Sequence, residues 1–337
     1  MDIFKLRKDK FADFLASLGG YKLFAPQKVG ESIRFAPVTD AGKVELALAN
    51  TTVPPKSIFF PQTETLYRYA LGNTEMHPPA EGEAGVVLGV RPCDARAQVI
   101  VDNLFSWDVD DPYYLERRKK IAVVGLACNK PCVNCFCLSV GGDPASTEGL
   151  DLLMTELDDA YLLQPLTEKG EKLSQAVAAV AEAAETGDLD EAEKLHRQAR
   201  EKINRKVETD GIPQKLPGLW DDALWQNTAA SCLGCGICTF LCPTCHCFDI
   251  QDEVEGIDGR RCRMWDSCMF KEYTLHASGH NPRPTRRERT RNRINHKYNY
   301  FVQKFDVIAC VGCGRCISFC PVNIDIVEIL RQVKEAR

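Results

Sequence analysis

Two short stretches carry the chemistry of this chain. The first reads Cys232-Leu-Gly-Cys235-Gly-Ile-Cys238-Thr-Phe-Leu-Cys242-Pro243, and the second Cys310-Val-Gly-Cys313-Gly-Arg-Cys316-Ile-Ser-Phe-Cys320-Pro321. Both are C-x2-C-x2-C-x3-C-P, the bacterial ferredoxin run, in which three closely spaced thiolates wrap one cubane and the fourth ligates the neighbouring cluster. By that rule one [4Fe-4S] cluster takes Cys232, Cys235, Cys238 and Cys320, and the other takes Cys310, Cys313, Cys316 and Cys242. Structural zinc favours paired C-x2-C units, and a third cysteine after two residues suits a tetrahedral ion poorly. With every thiolate of the two runs engaged, neither cubane keeps an open iron. They are one-electron carriers, and a carrier pair needs a donor and an acceptor.

The chain has 337 residues, 17 cysteines and a formal net charge of −5. An odd cysteine count excludes complete disulfide pairing. The start, Met1-Asp2-Ile3-Phe4-Lys5, has no apolar core of a secretory signal. No apolar run approaches the roughly 20 residues that cross a bilayer. A cytoplasmic, reducing setting is therefore expected, in which clustered cysteines bind metal or do redox work. The mild acidity argues against general nucleic-acid binding. There is no G-x-G-x-x-G and no P-loop, so no flavin or NAD site is expected on this chain.

Five further cysteines, Cys93, Cys128, Cys132, Cys135 and Cys137, precede a long cysteine-free stretch. Their spacing is not a ferredoxin run, but any four supply enough thiolates for a third site, iron–sulfur or zinc. The last four, Cys245, Cys247, Cys262 and Cys268, read either as another metal site or redox-active thiol pair, or as small apolar side chains buried beside the clusters. The segment Arg283–Arg293 is strongly basic. It reads as a solvated face, or as a surface that docks an acidic partner or screens anionic clusters. His276, His280 and His296 lack a nearby carboxylate pattern and are expected to be structural.

The elements that must position these residues divide the chain into an α+β arrangement. Residues 1–165 read as a mixed α/β domain with the candidate third site. Phe11, Phe14, Leu15 and Leu18 mark a helix that Gly19-Gly20 ends. Strands are expected at Ser32–Phe35, Val44–Leu48, Ser57–Phe60, Val86–Val90 and Ile121–Leu126. The last two are apolar throughout and lead into Cys93 and Cys128, which places ligands at the ends of neighbouring buried strands. Residues 166–218 read as a helical hairpin and linker. Leu173, Val177, Val180 and Ala184 mark its first helix, and a second starts at a capping box of Asp188 and Glu191. Residues 219–337 form the two-cluster ferredoxin-like domain, with a long insertion between its runs.

Phe60-Pro61-Gln62-Thr63-Glu64-Thr65-Leu66-Tyr67-Arg68, Val90-Arg91-Pro92-Cys93-Asp94, Asn134-Cys135-Phe136-Cys137 and Cys242-Pro243-Thr244-Cys245-His246-Cys247-Phe248-Asp249 occur in that order. Together they resemble the iron–sulfur beta subunit of soluble sulfhydrogenases and its counterpart in anaerobic sulfite reductases. The resemblance implies electron passage between a reductase subunit that binds FAD and NAD(P)H and a catalytic subunit of hydrogenase, sulfite reductase or heterodisulfide reductase type. It implies Cys93, Cys128, Cys135 and Cys137 as ligands of a third cluster, leaving Cys132 spare. The rival expectations are a sulfur-compound or heterodisulfide reductase built on Cys245, Cys247, Cys262 and Cys268, and, more remotely, a zinc-stabilised binding module.

Overall fold

The structure, a computed structural model, describes residues 2–336 apart from 74, 80 and 81. Its strands are β1 (Phe4–Arg7), β2 (Lys22–Val29), β3 (Ser32–Pro37), β4 (Thr63–Ala70), β5 (Gly85–Val90), β6 (Ile121–Leu126), β7 (Leu152–Glu156), β8 (Ala160–Pro165), β9 (Glu182–Ala183), β10 (Phe248–Glu255) and β11 (Asp258–Trp265). Its α-helices are α1 (Phe11–Ser17), α2 (Lys56–Phe59), α3 (Pro92–Phe105), α4 (Pro112–Lys120), α5 (Glu168–Val177), α6 (Thr186–Glu201), α7 (Ile212–Lys215), α8 (Ala223–Ala229), α9 (Ile237–Phe240), α10 (Arg286–Asn295), α11 (Phe301–Phe305), α12 (Arg315–Ser318) and α13 (Ile326–Glu335).

An eight-stranded mixed sheet runs in the order β3-β2-β5-β6-β7-β8-β1-β9. Its centre, β2-β5-β6-β7, is parallel, and antiparallel strands close both sides. β5 and β6 are buried along their whole length because both faces are covered. Val86, Leu88, Ala122 and Val124 point into a core with Phe14, Leu15, Leu173 and Val177 of α1 and α5. Val87, Val90 and Val123 point into another with Val101, Phe105 and Tyr114 of α3 and α4. Cys93 in the first turn of α3 and Cys128 just beyond β6 thus sit at the same end of adjacent parallel strands.

A second sheet, β10-β11-β4, joins distant parts of the chain. The hairpin β10–β11 lies between the two ferredoxin runs, yet β11 pairs antiparallel with β4 from the N-terminal region. Arg263 on β11 forms a buried pair with Glu64 on β4 at 2.6 Å, which fixes that register across a separation of 199 residues.

Four expectations need correction. Val44–Leu48 is a loop: Leu46 plugs the sheet core, and the carbonyls of Leu46 and Leu48 accept from the Arg91 guanidinium instead of a strand. Ser57–Phe60 lies mostly in α2, a four-residue turn too short for periodicity to separate from a strand. The first helix of the 166–218 region stops at Val177, and residues beyond it turn into β9 at the sheet edge. The capping box of α6 uses Glu185 and Asp188, one turn earlier than expected; Asp188 accepts from the Glu185 amide at 2.9 Å.

Candidate metal centres

Each ferredoxin run is a tight loop followed by one helical turn, α9 or α12. Gly236 and Gly314, both in the left-handed region at φ 76°, open those turns. The turns pack against each other and bring the runs together despite the insertion. One cavity is lined by Cys232, Cys235, Cys238 and Cys320, together with Cys316. A second, beside it, is lined by Cys242, Cys310, Cys313 and Cys316. Each cavity thus draws cysteines from both runs, with Cys320 crossing to the first and Cys242 to the second.

The polar groups around these cavities are donors. The Gly234 amide lies 3.4 Å from the Cys232 sulfur, and the Ile324 amide 3.2 Å from that of Cys320. Lys297, 3% exposed, donates to the Cys242 sulfur at 3.3 Å, to the Thr244 hydroxyl at 3.0 Å and to the Ala309 carbonyl at 2.9 Å. Arg293 lines both cavities, donates to the Cys238 carbonyl at 3.2 Å, and leaves its buried Nε without a partner. Burial alone would lower both cations; the sulfurs, Cys242 first for Lys297 and Cys238 first for Arg293, outweigh it and hold both above their ordinary range. Burial pushes the Cys316 thiol up to about 12.

The basic segment is therefore not a solvated face. Arg289, Arg291 and Arg293 are buried in α10, and Lys297 in the single π turn, His296–Tyr300, that joins α10 to α11. Arg291 donates to the Trp220 carbonyl at 2.7 Å and stacks 3.7 Å above its ring. Arg293 and Lys297 are placed to screen an anionic centre. A sequence signal existed: arginines at 286, 289, 293 and Lys297 recur at helical spacing, so one face of the helix is basic.

The N-terminal cysteines converge as well. Cys132, Cys135 and Cys137 pack together around Ile203 and Leu138. Cys135 is close enough to Cys137 for a hydrogen bond, and that contact, with burial, pushes its thiol up. Burial pushes Cys128 up to about 12, with Cys135 and Cys132 among its neighbours. Cys93 is half-buried and lies near Cys135 and also Cys313 of the second run. Nothing in these contacts separates Cys132 from the other four.

This group abuts the second run backbone to backbone. The Phe136 amide donates to the Gly312 carbonyl at 2.9 Å. A Cβ on Gly312 would lie 2.6 Å from the Cys137 backbone, and one on Gly314 2.6 Å from the Asn134 carbonyl. Next to Cys313, Arg315 pairs with Asp94 at 2.5 and 2.7 Å and donates to the Thr51 carbonyl at 2.9 Å; both charged side chains are almost fully buried. Sequence reading missed Arg315 and Asp94, each of which is adjacent to a candidate ligand cysteine.

Of the remaining cysteines, Cys247 and Cys268 line a larger cavity and are hydrogen-bonded, and Cys245 lies against Cys242. Cys262 is apart from them, fully buried on β11 opposite Gln251 and Thr65. The expected foursome is three plus one.

A family profile described as a 4Fe-4S dicluster domain matches residues 231–324. The chain is also 32% identical, over 335 residues, to the sulfhydrogenase 2 subunit beta of Pyrococcus furiosus, covering 98% of each protein.

The chain belongs to the sulfhydrogenase beta-subunit family.

It is an iron–sulfur electron-transfer subunit with two [4Fe-4S] clusters in its C-terminal part. The surroundings suit such groups in this sulfhydrogenase beta-subunit relative. Buried Lys297 and Arg293 face sulfur rather than carboxylate, so neutral thiols alone would leave two cations uncompensated, at a cost of several kcal/mol each. A tetrathiolate cluster supplies the missing negative charge. The thiols ring their cavities instead of meeting at a point: among the described residues no three Cys, His, Asp or Glu side chains converge closely enough to hold a single ion. No helix among the described residues is long and apolar enough to cross a membrane.

Proposed function

We propose that this chain passes single electrons between a subunit that bears FAD and oxidises NAD(P)H and a catalytic redox subunit. The observation that carries the proposal is the pair of adjacent cysteine-lined cavities that share Cys316 and Arg293. Centres side by side with a buried cation between them make a short conduit, not a substrate pocket. In this reading Cys232, Cys235, Cys238 and Cys320 hold one cubane, and Cys242, Cys310, Cys313 and Cys316 hold the other. When bound, the clusters supply one-electron capacity. The protein's residues donate hydrogen bonds to the thiolates and exclude water, which sets the potentials.

The N-terminal group extends the conduit. Four of Cys93, Cys128, Cys132, Cys135 and Cys137 would hold a third cluster, with Cys93, Cys128, Cys135 and Cys137 the set that family resemblance favours. Proximity of Cys93 to Cys313, and contact of Gly312 with Cys137, supports direct exchange with the second ferredoxin cluster. The Pyrococcus furiosus relative is by name part of a sulfhydrogenase, which supports a hydrogenase as the catalytic partner.

Anaerobic co-purification followed by stopped-flow absorption tests the proposal. The cluster band should bleach when NAD(P)H is added to the complex and recover when the catalytic partner's oxidant follows. Cys238→Ser should break that sequence. Protein that contains zinc and no acid-labile sulfide, or clusters that no partner reduces, would overturn it.

A further inference from the structure

The cavity beside Cys247 is about 560 Å³ and open to solvent on one side. Cys247 and Cys268 line it together with Tyr273, His246, His296 and Arg283. Cys247 is within hydrogen-bond reach of both Cys268 and the Tyr273 hydroxyl. Behind them, Cys245 lies close enough to both thiols to interact with their charge. Cys268 shares one packed group with Cys232, Met269 and Cys238, and Cys245 touches Cys242. The three thiols therefore sit within contact of both ferredoxin cavities, but outside both ligand sets.

A second observation concerns charge. Lys56 is 4% exposed and enters this region from α2. Its ammonium donates to the Cys245 carbonyl at 3.1 Å and the Thr239 carbonyl at 3.3 Å, and stands 4.0 Å from the Trp265 ring centre. Among the described residues it has no carboxylate partner; the acidic groups nearest it are Cys245, Cys242 and Cys247. A buried ammonium without an anion is costly. Lys297 and Arg293 already face the two ferredoxin centres, and Lys56 lies on the side of Cys245 and Cys247.

We propose that Cys245, Cys247 and Cys268 hold a further iron–sulfur cluster through three thiolates, with its fourth iron facing the cavity and open to a small anion. The proposal rests on the cluster-bearing reading above and adds to it a centre that solvent-borne ligands reach. Asp111 in the cavity wall is tied to Arg263, so Arg283 is the charge left to attract an anion. Cys262 takes no part.

The test uses the full chain, reconstituted anaerobically, with iron and acid-labile sulfide counted per chain. Cys247→Ser/Cys268→Ser should lose about four irons and as many sulfides relative to wild type. Cys262→Ser should lose none, and both variants should keep the paired-cluster EPR signal of the ferredoxin runs. Cyanide, as the probe for an open iron, should change the wild-type EPR or Mössbauer spectrum and leave that of the double variant unchanged. Equal iron in wild type and double variant overturns the proposal while the relay stands. Wild type without any cluster overturns the relay itself. If the double variant does not fold, the wild-type cyanide experiment decides, and an unchanged spectrum refutes the open iron.

Discussion

Replacing Lys297 with methionine removes a buried positive charge from one centre and shortens the side chain by only one atom. The ammonium lies 3.3 Å from the Cys242 sulfur. The thiolates hold it well above its ordinary range, against the pull of burial, so it is fully charged at neutral pH and a whole unit charge is lost. Placing that charge about 6 Å from the centre of a cubane held by Cys242, at an effective dielectric constant of about 20, gives about 3 kcal/mol. For a one-electron couple, at roughly 59 mV per tenfold change in equilibrium, this is about 120 mV. Reduction adds negative charge, so loss of the cation lowers the potential. The Thr244 hydroxyl still donates to the Ala309 carbonyl at 2.8 Å, so the fold keeps most of its local bonds. In an EPR-monitored redox titration of Lys297→Met, the centre next to Cys242 should move down by about 100 mV, and the Cys232 centre by clearly less. Lys297→Arg should restore most of the shift. Equal shifts at all centres, or none beyond about 20 mV, would refute the electrostatic reasoning.

Gly312→Ala forces a Cβ to 2.6 Å from the Cys137 backbone at φ 63°. A left-handed alanine costs about 1 kcal/mol and overpacking about 1–3 more, so chemical denaturation should show a loss of about 2–4 kcal/mol. Asp94→Ala leaves Arg315 buried and unpaired and should cost about 3–5 kcal/mol by the same measurement. The double variant Asp94→Leu/Arg315→Met should recover much of that loss, because a buried pair replaced by apolar groups is close to neutral. Cluster assembly should be favoured by rising pH. In the cluster-free chain burial holds Cys128 and Cys316 near 12, so both thiols are protonated at neutral pH, and ligation as proposed would release their protons. Reconstitution yields across pH 6–9 (about three units) should climb with pH, and a flat profile would contradict this.

The ferredoxin runs were legible because their spacing is local: each run is one loop and one helical turn, and the two cavities they line draw cysteines from both. The apolar strands β5 and β6 were legible for a similar reason, since strands covered on both faces leave an uninterrupted apolar run. What escaped is long-range. Arg315 and Asp94 are 221 residues apart, and no local pattern announces their pairing. Lys56 opens a four-residue turn whose sequence reads as a strand, and its role depends on Cys245 and Trp265 arriving from the insertion. The arginines of α10 carried a periodic signal, but hydrophobic periodicity assigns basic residues to the solvent face. That rule fails where the core itself is anionic.

The same inversion explains how the fold keeps the conduit rigid. An apolar core would hold two domains together by buried area alone. Here the second run meets the N-terminal group through contacts that admit no side chain: Gly312 against Cys137 and Gly314 against Asn134. The neighbouring Arg315–Asp94 pair then fixes orientation, because a misaligned pair leaves two charges buried and unpaired. β4 pairing with β11 pins the insertion from the other side, and the buried Glu64–Arg263 bridge prevents a register slip. In the proposed relay, slippage at either junction would alter the separation between the N-terminal centre and the second ferredoxin cluster, on which electron transfer depends steeply. The polar and backbone contacts at these junctions therefore act on function through distance, whereas Lys297 and Arg293 act through potential. Substitutions of the first kind should slow transfer without moving midpoints, and those of the second kind should move midpoints first.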